Sequence, residues 1–134
     1  IRINGDSPFV EPTLLEEGIR RARECEPDLV TNLCPRTYPY GVSLEIVKTS
    51  SYREAFSRMS EPGDFEHVTA FLYRNIETIR YENVLYPGGD AHELRMTVDT
   101  AEDMERFRTF IERHGDRFER MSLEEEIRYY SELE

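Results

Sequence analysis

Apolar and polar positions recur along this chain in two rhythms, one with period two and one with the spacing of a helix. Residues 1–4, Ile1-Arg2-Ile3-Asn4, alternate and are then broken by Gly5-Asp6-Ser7-Pro8, which predicts a strand followed by a tight turn. Pro12 suits a first helical turn, and Leu15, Gly18, Ile19 and Ala22 carry a helix to about Glu26, where Pro27 ends it. Residues 28–33 predict a short strand, 35–41 a stiff Pro- and Tyr-rich loop, and 42–47 a half-buried alternating strand. A helix from Thr49 or Ser50 to Met59 follows, with Tyr52, Ala55, Phe56 and Met59 on one face. After the break at 60–64, residues 65–74 predict a short helix with His67 at its start, and 79–85 a strand. A flexible turn at 87–90 leads to a strand at 94–98 that stops at Asp99-Thr100. Thr100 with Asp103 forms a capping box for a helix whose inward stripe is Met104, Phe107 and Ile111 and whose stop is Gly115. Ser122 with Glu125 repeats the box ahead of a last helix, with Leu123, Ile127 and Tyr130 inward. Strands alternating with helices give a layered α/β domain.

Composition narrows the class. The 134 residues fit one domain, and no apolar run reaches the roughly 20 residues of a membrane helix, so a soluble cytoplasmic protein without a membrane partner is expected. With 28 acidic against 17 basic residues and a net charge of −11, the chain is poorly suited to nucleic acid, which needs a basic face. Lys48 is the one lysine, so cationic chemistry here is arginine chemistry. Cys25 and Cys34 have no metal-ligand spacing and read as small buried or half-buried thiols. The first residues already read as a strand and carry no Met, which is the expectation for the later part of something longer.

Two carboxylates follow predicted strands: Asp6 after 1–4 and Asp99 after 94–98. Ligands of open α/β sheets gather beyond the carboxyl ends of strands, and a pair of carboxylates there offers hard oxygen donors to Mg²⁺ and phosphate. The competing reading makes Asp6 a turn residue and Asp99 a helix-start cap. Arg36 either meets an anionic ligand or clamps its own loop, and Arg95 either meets a ligand or forms an ion pair. His67 reads as a surface cap or a half-buried hydrogen bonder, whereas His92 and His114 read as solvated. Glu124-Glu125-Glu126 reads as a solvated helix face and Tyr129-Tyr130 as packing.

Three segments in order carry a resemblance: residues 5–12 (Gly-Asp-Ser-Pro-Phe-Val-Glu-Pro), 66–69 (Glu-His-Val-Thr) and 94–103 (Leu-Arg-Met-Thr-Val-Asp-Thr-Ala-Glu-Asp). Together with the 35–39 loop and the 42–47 strand, they resemble the spore-coat polysaccharide biosynthesis cytidylyltransferases, relatives of the CMP-Kdo and CMP-sialic acid synthetases. The resemblance runs through nearly the whole chain. It implies a nucleotide-diphospho-sugar transferase fold, a three-layer α/β/α sandwich, here incomplete at its N-terminus. It also implies displacement of pyrophosphate from CTP by a sugar hydroxyl. Asp6 and Asp99 then match the catalytic pair that holds Mg²⁺. His67, Tyr73, Arg36 and Arg95 fall on the substrate side, and residues 28–60 match a projecting region through which relatives form homodimers.

Two departures stand beside these matches. The family's opening run, of the kind Gln-Ala-Arg-Met-Gly-Ser-Thr-Arg-Leu-Pro-Gly-Lys, is absent from these residues. Ser43 also stands in Gly41-Val42-Ser43-Leu44-Glu45 where the family commonly places Asp. A second expectation is therefore kept open: a non-catalytic domain of the same fold, serving dimerisation or partner docking.

Overall fold

The computed structural model describes residues 1–133. Its sheet has three strands, β1 (Leu29–Thr31), β2 (Glu45–Val47) and β3 (Tyr81–Asn83), in the order β2-β1-β3. β1 runs antiparallel to β2, with Val30 opposite Ile46, and parallel to β3, with Val30 opposite Glu82. Helix α1 (Pro12–Cys25) packs on β1 and β2. Its close approach needs Gly18, because a Cβ there would lie 2.4 Å from Leu44 Cδ2. Helices α2 (Thr49–Arg58), α3 (Pro62–Glu66) and α4 (Ala70–Arg74) fill the β2-to-β3 connection, and α5 (Ala101–His114) and α6 (Leu123–Ser131) close the chain. Among the described residues, no helix is long and apolar enough to cross a membrane.

The helix boundaries follow their predicted caps. Thr100 and Asp103 exchange side-chain and backbone bonds at the start of α5, and Ser122 and Glu125 do so at α6. Pro12 sits in the first turn of α1, with Glu11 as its cap. The main core gathers Phe9, Phe107, Phe110, Phe118 and Tyr130 edge to face, with centroid spacings from Phe9 of 5.0–5.7 Å. A smaller cluster joins Ala55, Met59 and Leu72 beneath α2 and α4.

Several predicted strands are shorter than their pattern. Residues 1–4 make a single bridge, Arg2 to Glu45, rather than a strand. The 42–47 strand is reduced to Glu45–Val47 because the side chain of Asn32, wholly buried, takes over the ladder: Nδ2 donates to Val42 O at 2.9 Å and Oδ1 accepts from Leu44 N at 2.8 Å. Residues 94–98 are extended but find no strand partner. They bond instead to a loop and a turn, Tyr40 N to Leu94 O (2.8 Å), Met96 N to Tyr40 O (2.7 Å) and Val98 N to Asp6 O (2.9 Å). Gly41 permits this contact. It holds φ +109°, and a Cβ on it would stand 2.8 Å from the Met96 carbonyl carbon.

The helix predicted at 65–74 is two short helices, α3 and α4, and His67 caps the C-terminus of α3 instead of starting a helix. On α5 the buried residues are Asp103 and Phe110, whereas Met104 is 47% exposed. His114 is not solvated alone: it packs between the rings of Phe110 and Tyr129. Cys25 is exposed and Cys34 half-buried, both free. On α6 only part of the acidic triplet is a solvated face, because Glu126 is 9% exposed. Burial, aided by the charge of Glu11, pushes its carboxyl up to about 7.

Two outcomes follow. Gly41→Ala sets a side chain at positive φ against backbone atoms and is expected to lower stability by more than about 2 kcal/mol in urea unfolding. Glu126 holds its proton in the native state while its unfolded value is near 4.5. Its favourable contribution is therefore complete below about pH 4.5 and lost as pH rises through about 7. Glu126→Gln is expected to flatten that fall, gaining on the order of 2 kcal/mol above neutrality after allowance for solvent at the carboxyl. Thermal melts between about pH 5 and pH 8 read the difference.

Candidate active site

A polar cleft of about 270 Å³ opens where the N-terminal turn, the 33–43 loop, β2 and α4 meet. It is lined by four of the residues picked from the sequence, Asp6, Arg36, His67 and Tyr73. The other two sit beside it without lining it. Asp99 Oδ2 accepts from Thr97 Oγ1 at 2.8 Å, and Thr97 is a cleft residue. The Arg95 guanidinium lies 4.6 Å from the centroid of Tyr40, also a cleft residue.

The bond from Val98 N to Asp6 O decides the arrangement. It joins the Asp6 turn to the residue preceding Asp99, so the two acidic positions, 93 residues apart in sequence by difference of their numbers, lie on hydrogen-bonded segments. The Asp6 carboxylate is exposed and, among the described residues, takes a single hydrogen bond, from Ser7 Oγ at 3.2 Å. The Asp99 carboxylate is held by Thr97 and by Arg95 Nη2 at 2.8 Å. Asp99 is not the helix cap, since Thr100 takes that position. Among the described residues, no three His, Cys, Asp or Glu side chains gather as a metal cage. Two carboxylates with open oxygens nevertheless suit Mg²⁺, which commonly takes one or two carboxylates and completes its shell with water and phosphate.

Arg36 does clamp its own loop: Nη1 donates to Pro39 O at 3.2 Å and to Ser43 Oγ at 3.5 Å, and the guanidinium lies 4.9 Å from the Tyr40 centroid. It has no carboxylate partner among the described residues. Burial lowers its pKa, yet a guanidinium so far above neutrality stays charged. Arg95 is not in a buried pair, its side chain being 53% exposed. Tyr73 is positioned by Thr31, hydroxyl to Oγ1 at 2.8 Å. Burial first, and the nearby Glu45 charge next, hold its phenol well above the ordinary range, so it is a neutral hydroxyl.

The sequence reading missed the ion pair at the floor of the cleft. Glu45, 5% exposed, receives Arg2 Nη1 at 2.8 Å, and the same nitrogen donates to Thr69 Oγ1 at 3.1 Å. Alternation at 42–47 marks Glu45 only as an outward strand position, and nothing in the pattern links it to Arg2. Arg74, next to Tyr73, is turned to structural use, since it pairs with the buried Asp64.

No protein-family model matches the chain. A structural comparison finds a cytidylyltransferase from Leptospira borgpetersenii serovar Hardjo-bovis (strain JB197), with a TM-score of 0.82 and 23% identity, covering 96% of this chain and 55% of that one. The chain has a cytidylyltransferase fold. A sequence comparison finds the spore coat polysaccharide biosynthesis protein SpsF of Bacillus subtilis (strain 168), 30% identical over 120 residues, which is 87% of this chain and 48% of that protein. The chain thus spans about half the length of each protein it matches, and its link to spore-coat and cytidylyltransferase-like proteins is distant. The mixed α/β layering expected from the sequence, a sheet flanked by helices as in nucleotide-diphospho-sugar transferases, is what the fold shows.

The Arg2–Glu45 pair can be tested alone. Arg2→Ala leaves a buried carboxylate without its cation and is expected to cost about 2 kcal/mol, whereas Arg2→Ala combined with Glu45→Gln recovers at least half of it. A double-mutant cycle in urea measures the coupling.

Proposed function

We propose that this chain forms the metal-holding and sugar-facing part of a CTP-dependent nucleotidyltransferase that activates a sugar or sugar acid as a CMP-sugar for surface polysaccharide synthesis. The observation that carries the proposal is the Val98-to-Asp6 bond, which joins the turn of Asp6 to the residue before Asp99, beside a cleft lined by Asp6, Arg36, His67 and Tyr73. The similarity to SpsF and the cytidylyltransferase fold supply the reaction class.

In this reading a sugar hydroxyl attacks the α-phosphorus of CTP. One P–O bond forms, the α–β bridging bond breaks, and pyrophosphate leaves with the electron pair. Mg²⁺ held by Asp6 and Asp99 supplies neutralisation of phosphate charge when it is bound. Arg36, without a carboxylate of its own, meets an anionic group of the sugar. Neutral Tyr73 and its Thr31 support orient a sugar hydroxyl, and exposed His67 is placed to accept the proton released by the attacking one. Arg95 holds Asp99 in this state and exchanges that partner for phosphate when nucleotide arrives. The chemistry belongs in the cytoplasm, where CTP is found. Residues 28–60, which contribute β1, β2 and α2, are proposed as the homodimer contact.

A second reading, docking without catalysis, draws on Ser43. It lines the cleft and meets Arg36 only at 3.5 Å, where the resemblance implies an aspartate. Pyrophosphate release from CTP by the full-length protein separates the two. Asp99→Asn is expected to lower the rate by at least about 100-fold with unfolding behaviour unchanged. An equally active variant would sink the metal assignment, and an inactive but dimeric parent would establish the docking reading.

A further inference from the structure

A second hollow, of about 750 Å³, lies between the start of α1, residues 84–87 and the start of α6. Its walls are largely apolar, with Leu14, Val84 and Leu123 buried, and the rings of Tyr38 and Tyr86 stand 5.0 Å apart along it. Four glutamates line it, and two of them, Glu126 and Glu11, act on each other. Glu126 is 9% exposed and makes no side-chain hydrogen bond or ion pair among the described residues, and what exposure it keeps is to the groove. Glu11 uses Oε1 to receive Thr13 N at 2.9 Å and the Thr13 hydroxyl at 2.5 Å, and its Oε2 has no partner among the described residues. A buried carboxyl without a partner is costly, and a second carboxylate nearby adds to the cost. The groove's own cations do not relieve it. Arg21 is held by Glu17 and by Asn83 O, and Arg120 stands exposed at the rim.

We propose that this groove binds an aliphatic ammonium ion, its charge between Glu126 and Glu11 and its stem along Leu14, Leu123 and the two tyrosine rings. The chemistry is complementary at each part. The cation supplies the partner that Glu126 and the second oxygen of Glu11 lack, the alkyl stem displaces water from the aliphatic wall, and the aromatic faces favour a positive charge. The titratable and charged groups that line the groove with Glu126 are Glu11, Glu17 and Arg21 from the α1 side, Tyr38 and Tyr86 from the loops, and Glu119 and Arg120 from the turn before α6, and of these Glu11 is the one whose charge acts on Glu126. Burial keeps both tyrosines neutral, so the carboxyls carry the recognition. The site is separate from the Asp6–Asp99 cleft and does not depend on the nucleotidyltransferase reading.

The test is a titration of the 134-residue chain with n-butylammonium chloride, followed by amide NMR, with 1-butanol as the uncharged probe. Saturable shifts confined to residues near 11–14 and 122–126 are expected, in the millimolar range proper to so small a ligand. Binding should tighten several-fold from about pH 6 to about pH 8, as Glu126 ionises. Glu126→Gln, which keeps the shape and removes the buried charge, should weaken it at least about tenfold, and Glu11→Gln, which keeps the acceptor for Thr13, should also weaken it. Equal binding of 1-butanol, unchanged affinity in Glu126→Gln, or no saturation below about 100 mM would each overturn the proposal.

Discussion

Three backbone hydrogen bonds along residues 94–98 hold this molecule's functional geometry together. An extended segment buried on one side must satisfy its amides and carbonyls, and here the partners are Tyr40 and Asp6 rather than a neighbouring strand. Because the partners are a loop and a turn, satisfying the segment also fixes them in place. Tyr40 brings the 33–43 loop and Arg36, and Asp6 brings the N-terminal turn. Gly41 is the point at which the loop comes near enough for this, its missing Cβ leaving room for the Met96 carbonyl. The cleft is therefore a consequence of backbone accounting, with the charged side chains delivered by it.

The same economy explains which parts of the fold could be read from the amino acids. Caps are local: Thr100 with Asp103, Ser122 with Glu125, and Pro12 in a first turn act within four residues, so their chemistry is visible in sequence order. Side chains that replace distant backbone are not visible in that way. Asn32 completes the bonding of Val42 and Leu44 across the loop, and nothing around position 32 announces it. Period two at 94–98 reported an extended, one-sided segment correctly, yet could not say that its partners lie in a loop and a turn. The pattern of 65–74 looks continuous, as for a helix starting near His67, but the C-terminal end of α3 at Glu66 and the non-helical conformation of His67 break it.

Charged residues were legible in number and less so in use. Glu126 stands in a triplet that looks solvated, but α6 turns its third member toward the core beside Leu123 and Tyr130. Arg95 and Asp99, four apart, pair across the extended stretch. Arg2 and Glu45 pair because the first residues bridge to β2 through Arg2 N and Glu45 O, a backbone contact that aligns the side chains above it. In both cases pairing follows where the backbone puts the residues, which is tertiary information.

Matching the charges in the cleft leaves a remainder, and the remainder has a direction. Arg2 answers Glu45 within the cleft, and beside it Arg95 pairs with one carboxylate oxygen of Asp99. Asp6 has only a serine hydroxyl, and Arg36 only a carbonyl, a hydroxyl and an aromatic face. In the proposed function, this one anion and one cation of a single cleft would meet a ligand that brings both signs, positive toward Asp6 and negative toward Arg36. A metal-bound phosphate and an acidic sugar together have that pattern, whereas a neutral sugar alone leaves both demands open. The groove at Glu126 has a buried carboxyl with no side-chain partner among the described residues, and the cation proposed there answers that group. The two hollows share no lining residue, and the charges on their walls differ, so the ligands proposed for them differ as well.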